Sequence, residues 1–253
     1  MVRGDRAGLR ARRVTDVPVL HDRPPLPGRC LSPERRRVAG MEDVRVVLIG
    51  GTSHAGKSTV ARLVADRLGF DCRSTDGLAR HPGRPWRTAG WEVPGHVAEH
   101  YASLTVDELI TSVLDHYAGL WPRIETLIAT HAAGDGPGAG LVLEGSALWP
   151  ATVAGLRHPR TAAVWLTADD AVLRARMHDA SGYDTATEDE RRLVDAFLAR
   201  SVRFQDLLRE TLATFGLNAL EVGPSRPVPA AADAVLDAVL APHAPNRPPA
   251  GSP

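Results

Sequence analysis

Lys57 is the only lysine in a chain of 253 residues, and it sits in Gly51-Thr52-Ser53-His54-Ala55-Gly56-Lys57-Ser58. The other 29 side chains of the Lys/Arg type are all arginine. Arginine offers a planar fork, whereas lysine is a compact, mobile point charge that can reach along a phosphate chain. Lysine is kept at the one place where the spacing G-x-x-x-x-G-K-[ST] calls for it. In such a loop successive backbone N–H groups and a helix N-terminus converge on phosphate oxygens. The candidate nucleotide-binding residues are Gly51, Thr52, Ser53, His54, Ala55, Gly56, Lys57, Ser58 and Thr59 of this loop, together with Arg174. Lys57 would bridge the terminal phosphates, and the Ser58 hydroxyl would ligate Mg2+.

Transfer of a phosphoryl group needs positioning and electrostatics rather than covalent chemistry from the protein. Asp76 ends an expected second strand and is the candidate base for an acceptor hydroxyl, or else a cap for the next helix, as Ser74 and Thr75 could be. Glu144 follows the apolar run Leu141-Val142-Leu143, where a carboxylate orders Mg2+ or simply ends a strand in solvent. Charge on the migrating group asks for arginine. Arg174 and Arg176 follow Trp165-Leu166-Thr167, while Arg200 and Arg203 lie one turn apart on a later helix. Arg176 with one of Arg200 or Arg203 is the expected set.

These side chains need a frame. Val44–Ile49 is a short β-branched run before the loop, and Val60, Leu63, Val64 and Leu68 after it recur at helical spacing, with Gly69 as the stop. Further strands are expected at Phe70–Thr75, Leu141–Leu143, Ala162–Leu166 and Ala219–Val222. Thr105-x-x-Glu108 and Thr187-x-x-Glu190 are capping boxes. The first opens a stripe from Leu109 to Ile128, within which Pro122 is expected to kink or restart the helix. The second opens a helix through Leu193, Phe197, Phe204, Leu208 and Phe215. Strands alternating with helices give a parallel sheet covered on both faces.

Residues 77–140 are too many for a loop and fall between two neighbouring strands, where an insertion over the sheet edge would hold a second substrate. Within it, His81-Pro82-Gly83-Arg84-Pro85-Trp86 fixes two polar residues and an indole close to Asp76. Arg80, Arg84 and Trp86, with Asp76, Arg200 and Arg203, are the candidate acceptor-binding residues. Residues 178–190, polar and with Ser181-Gly182 within them, read as a lid.

Zero formal net charge removes any global case for binding nucleic acid or membrane. The balance is uneven, because residues 1–40 hold ten arginines against Asp5, Asp16, Asp22 and Glu34. That stretch lacks an apolar period and reads as a disordered basic arm. Met41 would then begin the folded unit of 41–241, and 242–253, with five prolines, would be a disordered tail. Two cysteines, Cys30 and Cys72, argue against a disulfide scaffold and suit a cytoplasmic setting. No apolar run is long enough to span a bilayer.

The phosphate loop, Ser74-Thr75-Asp76-Gly77, Leu143-Glu144-Gly145, and Val164-Trp165-Leu166 before Arg174-x-Arg176 together resemble the P-loop small-molecule kinases. The Gly-Gly-Thr-Ser opening and the Ser-Thr-Asp segment are most similar to 2-phosphoglycerate kinase-like and chloramphenicol phosphotransferase-like proteins. Over residues 44–241 the resemblance implies an α/β, three-layer αβα P-loop nucleoside-triphosphate-hydrolase fold. Its sheet would have five parallel strands, with a helical substrate-binding insertion and a lid. It also implies ATP with Mg2+ as donor, and Asp76 as the acid that holds or deprotonates the acceptor hydroxyl. Ser181–Asp189 contains no arginine, so Arg174, Arg176, Arg191 or Arg192 must serve the lid. The function expected is transfer of the terminal phosphate of ATP to a hydroxyl of a small metabolite or drug. The alternatives are a nucleotide or nucleoside kinase, or a regulatory or toxin-like ATP-binding protein acting on a macromolecule.

Overall fold

A computed structural model describes residues 44–79, 81–134 and 140–240. The expected basic arm, Met41, the tail and Arg80 lie outside them. Five strands, β1 (Val46–Gly51), β2 (Asp71–Ser74), β3 (Leu141–Glu144), β4 (Thr161–Thr167) and β5 (Ala219–Glu221), form one parallel sheet in the order β2-β3-β1-β4-β5. Seven helices of the described residues surround it: α1 (Lys57–Leu68), α2 (Gly95–Ser103), α3 (Val106–Ala133), α4 (Pro150–Ala154), α5 (Asp170–Ser181), α6 (Glu188–Phe215) and α7 (Val228–Leu240). The strand order and the glycine loop after the central strand are those of the three-layer P-loop fold.

Alternation along each strand splits the core into two layers, because successive side chains leave opposite faces of a sheet. Val47, Ile49, Val142, Val164 and Leu166 pack with Val60 and Val64 of α1, Leu173 of α5 and Val235 of α7. Val46, Leu48, Leu141, Leu143 and Trp165 point the other way, against Ile124 and Ile128 of α3 and Val153 of α4. Helix α6 contributes to both, with Phe197 and Leu198 on the first face and Leu208 and Leu212 on the second. Phe215, counted in its apolar stripe from the sequence, is 42% exposed because it occupies the last residue of the helix, past the sheet contact.

Both capping boxes form: Thr105 accepts from the Glu108 N–H and Thr187 from the Glu190 N–H, with each glutamate reaching back to the cap. Helix α3 runs unbroken through Pro122, so the expected restart does not occur. Leu120, Ile124 and Ile128 on either side of the proline bury one continuous face. A proline costs a helix interior about 3 kcal/mol or more, roughly what burying two large aliphatic side chains returns.

The register fixes the working edge. Glu144 is level with Ile49 on one side and Ser74 on the other. The phosphate loop leaves β1 two residues past Ile49, and Asp76 comes two residues past Ser74. Loop, Glu144 and Asp76 thus emerge together at the carboxyl ends of β1, β3 and β2. The chain also changes sides about β1 here, which is where ligands of open parallel sheets bind.

Candidate active site

Gly56 takes φ 91° in the left-handed region, ending the loop and letting α1 begin at Lys57. His54 also has positive φ, 62°, an uncommon backbone for a residue with a side chain. Its carbonyl accepts from Arg176 Nη1 at 2.9 Å, and its ring lies 5.7 Å from Trp86 and 6.2 Å from Phe197 between centroids. The loop is therefore gripped from α5, from α6 and from the insertion. Burial pulls the His54 imidazole down to about 4, and the charges of Arg84, Lys57 and Arg176 push the same way. The ring is neutral at pH 7.

Lys57 is buried, and its ammonium donates to the Thr52 carbonyl at 2.7 Å. Burial lowers its pKa, while Glu144 and Asp76 oppose that shift by favouring the cation. Thr52 Oγ1 donates to the Ser201 carbonyl at 3.0 Å, tying the loop to α6. Ser58 Oγ donates to Glu144 Oε1 at 3.0 Å, so β3 supplies a carboxylate directly beside the loop hydroxyl.

Asp76 lies in a 3-10 turn, Thr75–Gly77, whose cap is Ser74: the Ser74 hydroxyl accepts from the Asp76 N–H at 3.3 Å. Serine takes the capping role, which leaves the Asp76 carboxylate exposed on the cleft wall. That cleft has a volume of about 880 Å³, in the upper part of the range for ligand pockets. It runs along Ser53–Thr59, Asp76, Glu144 and Arg176 to Arg84 and Arg200.

Not every candidate reaches it. Trp86 is 2% exposed and packs edge-on against Phe197 at 5.0 Å, so it buttresses the loop through His54 and is not on the cleft surface. Arg174 and Arg203 are exposed and do not line the cleft. Arg203 is three residues beyond Arg200 on α6, and that offset turns it to solvent while Arg200 is buried. Gly51 ends β1 and Thr52 faces α6, behind the loop. In the segment expected to be a lid, the rings of His178 and Tyr183 stack at 3.8 Å, and Arg191 holds the carbonyls of Tyr183 and Asp184.

The cleft also includes residues that the sequence did not single out. Tyr117, read as part of an apolar helix stripe, lines it, and burial raises its phenol to about 12. Val222, Gly223, Arg226 and Pro227 line it from beyond β5. The signal available for them was their place just past the carboxyl end of a parallel strand. Among the described residues no cluster of three His, Cys, Asp or Glu side chains could hold a metal ion. None of their helices is long and apolar enough to cross a membrane.

No protein-family model matches the chain, and no curated protein is similar to it at a significant level. Among solved structures, a gluconokinase from Sinorhizobium meliloti 1021 superposes with a TM-score of 0.44 at 18% identity, over 78% of this chain and 93% of its own. Shikimate kinase from Acinetobacter baumannii, in complex with shikimate, gives 0.42 at 14% identity over 79% and 95%. A deoxyadenosine kinase from M. mycoides with bound dATP gives 0.42 at 11% identity over 76% and 97%. These neighbours are distant P-loop kinases, and the fold assignment stands on this chain's own strand order and phosphate loop.

Proposed function

We propose that the chain is an ATP-dependent phosphotransferase that moves the terminal phosphate of ATP to a hydroxyl of a small molecule. The observation that supports this most is the row formed at one sheet edge by the Lys57 loop, the Ser58–Glu144 pair and the free carboxylate of Asp76, all on one cleft. A switch or hydrolase needs the first two. A second acid, on the side of the insertion, is what an acceptor hydroxyl requires.

Ser58 and Glu144 suit Mg2+, a hard cation that takes one or two protein oxygens and fills its remaining positions with phosphate and water. When bound there, Mg2+ would neutralise charge on the phosphates. Lys57 would leave the Thr52 carbonyl for the phosphate oxygens, exchanging one acceptor for a more strongly charged one. Arg176, held against the loop, would stabilise charge on the migrating group. Asp76 would orient the acceptor hydroxyl and take its proton as the oxygen attacks. The reading places the protein where ATP is supplied, in the cytoplasm.

The test is ADP release from ATP and Mg2+ with and without pools of small metabolites, followed by a search of the active pool for a mass gain of one phosphate. Acceptor-dependent release and a phosphorylated product are expected. ADP release that no small molecule stimulates, with phosphate appearing on protein or RNA instead, would overturn the proposal.

A further inference from the structure

On α6, Arg192 meets Glu188 and Asp189 and Arg209 meets Asp206, and from the insertion Arg87 meets Glu190, all of them at the surface. Arg200 does not. It is 6% exposed, lines the cleft, and among the described residues has no carboxylate within ion-pair range. Its guanidinium lies 4.4 Å from the centre of the Phe197 ring and 5.6 Å from that of Tyr101, and Nη1 donates to the Tyr101 hydroxyl at 2.9 Å. A guanidinium has five N–H donors, so these contacts orient the fork without using it up. A buried cation without a counter-charge is costly, and a site of this kind is completed by an anion.

The surroundings leave its charge unbalanced. His81 and His100, from the insertion, are kept neutral first by burial and then by Arg200 itself. Burial also raises the phenols of Tyr101 and Tyr117, so neither ionises near neutral pH. Nor is the charge reserved for ATP. Lys57, Arg84 and Arg176 gather about His54 at the phosphate loop, whereas the Arg200 guanidinium, which borders Thr52 and Ser53 at the start of that loop, is held by Tyr101 of the insertion. Arg200, Tyr117 and Asp76 all line the cleft, so the cation and the candidate base open onto the same space.

We propose that Arg200 binds an anionic group of the acceptor itself, a carboxylate or a phosphate monoester, so that the substrate class is a small hydroxylated anion. This rests on the phosphotransferase reading. In the reaction the acceptor hydroxyl oxygen bonds to the terminal phosphorus, the bond from phosphorus to the oxygen bridging to ADP breaks, and the hydroxyl proton goes to Asp76. The anionic group is held throughout and does not react.

The test uses the full chain and three acceptor arms: hydroxycarboxylates such as glycerate and gluconate, phosphomonoesters such as glycerol phosphate, and the neutral counterparts glycerol and glucose. ADP release is expected in an anionic arm only, and the arm that responds tells carboxylate from phosphate. Arg200→Met should raise the acceptor KM roughly tenfold to a hundredfold, the range for a lost hydrogen bond to a charged group, with the KM for ATP unchanged. Arg200→Lys should recover part of the loss, and it supplies the comparison if the methionine variant does not fold. A neutral acceptor used as well as its anionic counterpart, or an unchanged acceptor KM in Arg200→Met, would overturn the inference.

Binding is measured separately, as the rise in melting temperature that each arm gives to the ADP-loaded protein. A rise with anions only, lost in Arg200→Met but without turnover in any arm, would uphold the anion site and sink the kinase reading. No rise with any anion, or an equal rise in the variant, would sink the anion site.

Discussion

Gly145→Ala is a small change that should reach the chemistry. Gly145 follows Glu144 at the end of β3, at φ 154°, and its N–H donates to the Ile49 carbonyl at 3.1 Å. A methyl group there would overlap Thr75 Oγ1 and stand 2.8 Å from Thr75 Cβ and 3.0 Å from Cγ2. Ordinary carbon contacts are about 3.5–4.0 Å, so Thr75 must retreat by about 1 Å. Thr75 is buried and opens the turn that carries Asp76, and the turn has to move with it. Overpacking costs about 1–3 kcal/mol and the backbone strain about as much again, giving roughly 2–6 kcal/mol in all. For a domain of this size each kcal/mol lowers Tm by about 2–4 °C, so a fall of about 4 °C or more is expected.

An error of 1 Å in positioning is enough to lose roughly 10²-fold in turnover, whereas the phosphate loop is not displaced by this contact. Turnover should fall while ATP affinity holds. Adding Thr75→Ala removes the overlapping Oγ1 and the crowded Cγ2, leaving the milder Cβ contact at 2.8 Å and the φ strain. The double variant should therefore be more stable than the sum of the single changes by at least about 1 kcal/mol, which a double-mutant cycle on Tm and denaturant midpoints reads directly. Strict additivity, or a Gly145→Ala protein with unchanged Tm, would refute the steric account.

Lys57→Ala should abolish transfer yet fold normally, and Lys57→Arg should fail nearly as badly, since the fork is bulkier and less adaptable in a buried loop; a Lys57→Arg enzyme with normal turnover would sink the phosphate-loop reading. Asp76→Asn keeps a hydrogen-bonding group but cannot take a proton, so ATP affinity should change little while turnover at saturating acceptor falls by roughly 10²-fold. An unchanged turnover number would remove Asp76 from the reaction. His54 has a folded pKa of about 4 against an unfolded value near 6.5, so as pH falls through that window the unfolded chain takes a proton that the fold refuses, and stability drops. His54→Asn, which tolerates the left-handed backbone, should cut proton uptake on unfolding at pH 5 by close to one; no change in the pH dependence would place the group elsewhere.

What the sequence made legible was local or periodic. Lys57 stood out by spacing, and the strand expected at Val44–Ile49 is observed two residues on, at Val46–Gly51, because Gly50 and Gly51 still pair with Trp165 and Leu166. Capping boxes were readable because their two partners are three residues apart. Position at the carboxyl edge was readable too, since any residue ending a parallel strand must arrive there, which is why Asp76 and Glu144 could be picked out. What stayed hidden depends on partners far along the chain. Trp86 looked like a substrate contact because turn formers hold it near Asp76, but only the fold brings Phe197, 111 positions away, to cover it. Arg200 and Arg203 could not be ranked from spacing in a chain where arginine is the default cation. Burial against Phe197 and Tyr101 separates them, because it holds Arg200 on the cleft while Arg203, three residues on, is exposed away from it. The same residues that made the acceptor side unreadable in the sequence, aromatic rings drawn from separate segments, are what hold Arg200, buried among the described residues without a carboxylate, where the proposed selection of an anionic acceptor needs it.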